Sequence, residues 1–499
     1  MARTPPLGPA GRVPGRTDHV VVVGAGLSGL SAALHLVGAG RTVTVLERDP
    51  RPGGRAGQAE MAGYRVDTGA SVLTMPDLIE ETFAAVGESL SERLELIPVR
   101  PAYRAVFADD STLDVHSDAE AMAAEIRSVI GAADAAGYLR LRHWLGELYR
   151  ARRDAFLDAN VDSPLDLLNP KLAALVALGG FGRLGPAVGR FVRDERLRRV
   201  FTFHSLCAGV SPESALAGYG AMPGMDMVRG VFFPRGGVGA LAEAMAAAAR
   251  DAGARLRFDT PVAWLERVGS RVSAVRTTAG ERIPCDAVVL TPDLQAAYRL
   301  LGVHPRRLWP TRWAPSAFLL HAGTTRTWPK LRHHTIFFGS AWRSTFTEVI
   351  RDGRLMTDPT LLVTNPTLTD PALAPAGRHL VRVLAPVPNL RTSAVDWPRI
   401  APAYRDELVR VLDRRGLSGL DGAIEMERAV TPIDWANLGL AAGTPFSAAR
   451  TLAQTGPFRA HNLIKGVANV VLAGCGTVPG SGVPAVLISG RLAAQRITG

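Results

Sequence analysis

Cysteine is nearly absent: the 499 residues contain only Cys207, Cys285 and Cys475, far apart and without the spacing of a paired metal ligand. A disulfide framework and a structural zinc are thereby excluded, no metal site is expected, and a reducing cytoplasm is the default compartment. Lysine is scarce beside arginine, and the net charge of +11 is carried without any basic run. A basic field attracts polyanions in general, yet without a concentrated basic arm the chain offers nothing specific to nucleic acid. An Arg-rich, Ala-rich composition bias explains the charge as well as an anionic membrane face would. Uninterrupted apolar runs are missing too. Val20 to Gly40 and Gly466 to Gly490 are long enough to span a bilayer, but Gly24, Gly26 and Gly29 divide the first, and Pro479, Gly480, Gly482 and Pro484 divide the second. Backbone groups freed at such breaks find no partner in lipid. A secretory signal is mimicked by Arg3, Arg12 and Arg16 ahead of apolar residues, but no small-residue cleavage site follows. No internal repeat is visible, and neither a catalytic triad nor a paired-carboxylate motif can be found.

What is present is a globular composition, 47% hydrophobic, on a chain too long for one ordinary core, so two or three subdomains are expected. Residues Met1 to Thr17 are rich in Pro, Gly and Arg and predict a disordered leader. From Asp18, "HVVVVGAG" predicts a buried parallel strand, "LSGLSAALHLVGAG" a helix and "TVTVLE" the next strand of a βαβ unit. "AYRAVFADDSTLDV" predicts a hairpin around Asp109 and Asp110. Residues from about Ala119 to Met227 are mainly helical, a β-rich stretch follows, Leu294 to about Ala460 mixes strands with helices, and "NVVLAGCGTVPGSGVPAVLISGRLAAQRI" is again strand, glycine loop and helix. Strand-loop-helix units at both ends predict a sheet domain assembled from non-contiguous segments.

Gly24, Gly26 and Gly29 follow a strand and open a helix, as a dinucleotide fold requires: a tight turn, close approach of backbone to pyrophosphate, and close packing of helix on strand. The phosphate would sit on the helix N-terminus. Glu47, at the end of the next strand, is placed to accept hydrogen bonds from a ribose diol, and its charge disfavours a 2'-phosphate. "RPGGR" then adds Gly53, Gly54 and Arg55 as a second phosphate-facing loop, which a plain NAD domain does not need.

With "YRVDTGASVLTMP" after it, this arrangement resembles the flavoprotein superfamily of amine oxidases, protoporphyrinogen oxidase and carotenoid desaturases. "FTFHSLCAGVSPESALAGYGAMPG", "GVFFPRGGVGALAEAMA" and "LAGCGTVPGSGVPAVLISGRLAAQRI" resemble, in order, the bacterial and fungal phytoene desaturase family, and the likeness covers nearly all of the chain after the leader. The family usually has Pro where Ala70 stands and a hairpin Gly where Asp110 stands. The resemblance implies an α/β fold, with a Rossmann-like FAD-binding domain from residues 18–118, 228–293 and 461–499, a mixed β-sheet substrate domain at 294–460, and a helical membrane-associating subdomain at 119–227. It implies FAD as cofactor. By the same resemblance Arg235, Gly236 and Gly237 approach the cofactor, although a turn capping the following helix fits that spacing equally, and Val262 meets the adenine through its backbone. The loop with Gly474, Gly476 and Gly482 starts a helix at Val483 and Pro484 whose positive end can face the flavin and stabilise charge on the reduced ring.

For activity the resemblance implies desaturation of phytoene to neurosporene or lycopene: hydride transfer to flavin N5, then proton loss from the neighbouring carbon. Such chemistry asks the protein mainly for positioning and cofactor tuning. Asp166 lies near where the family's active-site acid has been considered, with an ordinary helix-start aspartate as the alternative. His204 in an apolar run reads first as a core histidine, and the neighbours His333 and His334 point to opposite faces of a strand. The substrate lives in the bilayer, so peripheral attachment to the inner face of the cell membrane is expected, with Leu165 to Val192, bordered by Arg183, Arg190 and Arg193, as the candidate surface or an ordinary subdomain core. Oxygen or a membrane quinone is the expected electron acceptor. Other desaturases, of hydroxyneurosporene or diapophytoene, and a carotenoid isomerase stay open. A flavin amine oxidase, whose aromatic cage and lysine cannot be located, and a non-catalytic flavin-binding protein are the remaining alternatives.

Overall fold

The structure, a computed structural model, describes residues 11–153, 157–160, 170–303 and 310–499. Its first layer is a six-stranded sheet of β1 (His19–Val23), β2 (Thr42–Leu46), β3 (Arg255–Arg257), β4 (Ala287–Leu290), β5 (Leu463–Ile464) and β6 (Val467–Leu472), in the order β5-β6-β4-β1-β2-β3. All neighbours run parallel except β5, which is antiparallel to β6. Val20 to Val23 are buried because helices cover one face and a three-stranded sheet, Val262–Val268, Arg271–Thr277 and Arg282–Pro284, covers the other, which is why these strands are continuous apolar runs. Helix α1 (Leu27–Gly38) crosses between β1 and β2 and packs against the C-terminal helix (Val483–Thr498). That contact depends on glycine: a Cβ on Gly490 would stand 2.3 Å from the Ser28 carbonyl oxygen. Ser31 Oγ donates to the Leu487 carbonyl at 2.8 Å across the same seam.

A seven-stranded sheet forms the second layer, in the order Ile424–Val430, Ser316–Thr324, His379–Val387, Leu361–Thr364, His334–Phe337, Tyr103–Val106, Thr112–Val115. Alternation along His379–Val387 sorts its two faces. Val381 and Val383 join a cluster with Leu408 and Leu412 of the helix Trp397–Arg414, while Arg382 and Leu384 face the central cavity. Helices Ala132–Arg152 and His204–Ala208 line the other side of that cavity through Tyr149, Arg152, His204 and Cys207. The two apolar stretches long enough to span a bilayer resolve into β1 with α1, and β6 with the C-terminal helix. Among the described residues no helix is long and apolar enough to cross a membrane.

Two sequence expectations need correction. Composition predicts disorder through Thr17, but residues 11–17 are packed: Val13 is buried, its amide donates to the Arg496 carbonyl at 2.7 Å, and the Arg271 guanidinium donates to the Pro14 and Arg16 carbonyls. Arginines far along the chain satisfy this backbone, which local composition cannot reveal. The hairpin Tyr103–Val106 with Thr112–Val115, assigned to the dinucleotide domain by its position before 118, is instead the edge of the seven-stranded sheet, where Tyr103–Val106 runs parallel to His334–Phe337. Both departures from the family pattern have local reasons. Asp110 adopts φ +64°, a left-handed conformation that aspartate tolerates better than most residues, and accepts from Lys330 Nζ at 2.8 Å. Ala70 donates its amide to the Arg55 carbonyl at 3.0 Å, a bond that proline could not make.

Candidate functional site

A single cavity of about 870 Å³ runs from the first glycine turn to the inner face of the seven-stranded sheet. At one end, Gly24 has φ +104° and a Cβ there would lie 2.3 Å from Thr291 Oγ1. A Cβ on Gly29 would lie 2.0 Å from the Gly24 carbonyl oxygen, so this glycine serves helix-on-strand packing and does not line the cavity. Gly26 is different: the nearest atom to its hypothetical Cβ is the Gly53 oxygen at 3.9 Å, which leaves open space at the helix N-terminus. The second loop docks directly on the first, with Gly53 N donating to the Ala25 carbonyl at 2.9 Å. Gly54 (φ +53°) and Arg55 complete that side, Arg55 Nη1 donating to the Pro445 carbonyl at 3.0 Å.

Glu47 is buried, and its carboxylate accepts the Ala25 amide at 2.6 Å and the Asp49 amide at 3.0 Å. It therefore fixes both turns, and each oxygen keeps lone-pair capacity for a ribose hydroxyl. Val262, Gly474, Gly482, Val483 and Pro484 also line the cavity. Gly482 (φ +112°) has no atom within 4 Å of its hypothetical Cβ, so the N-terminus of the C-terminal helix is open to a ligand. These open glycine faces, the Arg55 side chain and the Glu47 carboxylate at the strand end fit FAD: backbone amides and helix ends would take phosphate and ring, and Glu47 the diol.

Other expected residues lie elsewhere. Gly476 does not line the cavity, because a Cβ there would stand 2.7 Å from Leu294 Cβ and the residue is a packing position. Arg235, Gly236 and Gly237 also lie off it. Strand Phe232–Pro234 pairs with Leu96–Pro98, so Arg235 meets Glu95 at 2.6 Å on the surface, while Gly236 N donates to Asp370 Oδ2 at 2.7 Å. The buried Asp67 carboxylate, which burial pushes above its ordinary pKa range, accepts the Val238 and Gly239 amides, so this motif builds the start of helix Val238–Asp251. Asp166 lies outside the described residues. His333 and His334 are both buried, His333 against Thr369 and Phe233 and His334 against Thr364 and Tyr103; they do not take opposite faces, because the strand begins only at His334, and their ring centroids stand 4.5 Å apart.

The deeper half of the cavity is mainly apolar, with Leu319, Leu362 and Leu384 of the sheet facing Met222 and Met225. A few polar groups interrupt it, and the sequence reading missed most of them. Arg382 projects from the middle of an apolar strand; its Nη2 donates to the Gly69 carbonyl, whereas Nε and Nη1 are buried without a partner. Burial lowers its pKa to about 10. Arg152 and Arg450 both lie over the Tyr219 ring, at 4.9 and 5.9 Å from its centroid. His204 Nε2 stands 2.7 Å from Asp226 Oδ2, which also accepts from Tyr103 OH at 2.9 Å. Burial, and then Asp226, hold the Tyr103 phenol well above its ordinary range, so it stays a donor. Burial pushes the neighbouring Cys207 thiol up to about 12, which keeps it protonated and inert. One signal was available: Arg382 and Asp226 each stand as a lone charge in an apolar run, "HLVRVLAPV" and "GMDMV".

Residues 27–498 match the family described as flavin containing amine oxidoreductase. A phytoene dehydrogenase of Streptomyces griseus is 61% identical over 98% of this chain and 96% of that protein. A zeta-carotene-forming phytoene desaturase of Myxococcus xanthus is 35% identical, over 96% of this chain and 93% of its own. A lycopene-forming phytoene desaturase of Pantoea ananas is 34% identical, over 95% and 97%. Among solved structures, an oxidoreductase from Methanosarcina mazei aligns with a TM-score of 0.64 at 15% identity, covering 95% of this chain and 98% of that one. Cyclohexylamine oxidase from Brevibacterium oxydans aligns with a TM-score of 0.60 at 16% identity, covering 97% and 99%. At such identities the structural likeness speaks for the fold alone.

Proposed function

We propose, from the premise that this chain belongs to the flavin containing amine oxidoreductase family and to its phytoene desaturases, that it converts phytoene to neurosporene or lycopene. It is an FAD-dependent oxidoreductase of carotenoid biosynthesis that introduces conjugated double bonds. The observation that carries the reading is the continuity of the cavity, in which dinucleotide loops and an apolar sheet face enclose one space. A saturated hydrocarbon segment has no heteroatom to bind, so shape and apolar contact must align it, and Leu319, Leu362, Leu384, Met222 and Met225 supply that surface. When bound, FAD supplies the two-electron acceptor for hydride. The chain's share is to hold it: Gly24, Gly26, Gly53 and Gly54 at the pyrophosphate, Glu47 at the ribose, and the helix start at Gly482 to Pro484 toward the ring.

In our reading the enzyme draws its substrate from the inner face of the cell membrane. Support comes from Val176 and Phe181, 57% and 45% exposed, beside the exposed Arg183 and Arg190, while Leu184, Val188 and Val192 of the same stretch are core. Oxygen or a membrane quinone would take the electrons onward. The test is phytoene in liposomes with the FAD-loaded protein under air: absorption should move to longer wavelength as conjugation extends, and chromatography should resolve neurosporene or lycopene. Geometric isomerisation of a supplied carotene without any new double bond would overturn the reading.

A further inference from the structure

Removing two hydrogens from a hydrocarbon as a hydride and a proton leaves the proton to be taken up inside an apolar cavity. Nothing on the substrate can accept it. On the wall of that cavity the structure holds one histidine-carboxylate pair, His204 with Asp226, among the described residues. Asp226 is 4% exposed and fully engaged: Oδ2 accepts from His204 Nε2 at 2.7 Å and Tyr103 OH at 2.9 Å, and Oδ1 accepts the Met227 amide at 2.8 Å. Three donors thus converge on its two oxygens. A carboxylate there keeps the proton of the imidazole on Nε2 and leaves Nδ1 as the lone-pair nitrogen. That Nδ1 is buried and has no hydrogen-bond partner. A buried acceptor without a partner is costly in a purely structural histidine; here the fold leaves that lone pair unused.

The helix that carries the histidine is joined, at its far end, to the C-terminal glycine loop. Helix His204–Ala208 carries the imidazole, and its last carbonyl, that of Ala208, accepts the Arg450 amide at 2.9 Å. Arg450 Nη2 then donates to the Ser481 carbonyl at 2.7 Å and Ser481 Oγ at 2.8 Å, one residue before the open Gly482. Backbone and guanidinium thus tie the histidine's helix to the C-terminal glycine loop.

We propose that His204, oriented by Asp226, accepts the proton lost in each desaturation, with Tyr103 positioning the carboxylate. This rests on the desaturase reading above. Hydride would leave one C–H bond with both of its electrons, and oxidised FAD, when bound, would supply the acceptor. The electron pair of the adjacent C–H bond becomes the new π bond, and its proton forms the second N–H of the imidazole, leaving an imidazolium beside the Asp226 carboxylate.

The experiment uses the full-length, FAD-loaded protein in phytoene liposomes, with His204→Gln, His204→Ala and Asp226→Asn. FAD content and thermal unfolding are measured first, independently of turnover. His204→Gln should keep its FAD and lose about 100-fold or more in desaturation rate, the range of a lost general base. Phytoene deuterated at the proton-losing carbons should then show a primary isotope effect larger in this variant than in the wild type, because proton loss has become limiting. Imidazole added to His204→Ala should restore part of the rate. A variant as fast as the wild type would overturn the proposal, as would a slow one with an unchanged isotope effect and no imidazole rescue, the signature of a structural role. Should the His204 variants lose FAD or fail to fold, Asp226→Asn decides: it keeps the shape, and wild-type rates in it would refute the pair. Wild-type protein that leaves phytoene unchanged would refute the desaturase reading itself.

Discussion

Glu47 is a side chain that holds the fold and, on our reading, the ligand together. Its oxygens hold the Ala25 and Asp49 amides, so Glu47→Ala would remove the hydrogen bonds expected to the ribose and would also free two buried or half-buried donors beside the first glycine turn. We expect FAD binding to weaken by roughly 1.5 to 3 kcal/mol, read by fluorescence titration of the stripped protein; an unchanged dissociation constant would place the ribose elsewhere. Gly29 tests the packing half of the same motif. With 2.0 Å between a hypothetical Cβ and the Gly24 carbonyl oxygen, Gly29→Ala must push α1 off β1, at a cost of about 1 to 3 kcal/mol. Its thermal midpoint should fall, and FAD affinity with it. These residues were legible in the sequence because the requirement for them is local: turn, helix start and strand end lie within one βαβ unit. Arg235 was not, since its guanidinium goes wherever the neighbouring strand takes it, and pairing with Leu96–Pro98 puts Glu95 there.

At the scale of elements, the segment between Pro170 and Val192 divides its apolar residues between two tasks. Leu184, Val188 and Val192 are buried, and Trp144 packs on Phe191 with ring centroids 5.5 Å apart. Val176 and Phe181 point outward, with Arg183 and Arg190 exposed nearby. Anionic liposomes should therefore retain the protein better at low salt than at high salt, since attraction between surface charges is screened over about 10 Å at 0.1 M. Phe181→Glu should weaken retention at both salt concentrations, by removing apolar insertion, while leaving thermal unfolding within about 0.5 kcal/mol of the wild type. Co-sedimentation reads both effects, and retention unaffected by Phe181→Glu would move the contact surface elsewhere. An apolar run in a sequence announces burial of some kind; which side chains turn outward depends on the helices packed behind it.

For the whole molecule, acid should be the weak direction. Burial, helped by Arg491, lowers His35 to about 4; burial lowers His333 to about 3 and, with Arg382 and Arg428 adding to it, His321 to about 3; His334 is held well below its ordinary value. An unfolded chain binds these protons below about pH 6.5, whereas the folded chain refuses them until near 4 or 3. Stability conferred by the neutral rings is thus fully present above about pH 6.5 and declines as the pH falls, by up to about 1.4 kcal/mol per pH unit for each ring. Urea midpoints should drop between pH 7 and pH 5, and His35→Gln should flatten that slope. A midpoint independent of pH over this range would show that these rings are not buried in the neutral form.

The sequence by itself determined the dinucleotide unit, the second glycine loop and the C-terminal glycine loop, because each is a contiguous stretch in which a positive φ or a close approach requires glycine. The tertiary structure decided the rest of the site. Tyr103 comes from the strand next to the edge of the seven-stranded sheet, His204 from a short helix and Asp226 from a later segment, and apart from the lone charge of Asp226 in an apolar run their types and spacing carry no signature. They meet on one carboxylate oxygen because that sheet and the helical layer close over the same cavity, and the contact between two layers is a property that no single stretch of chain possesses.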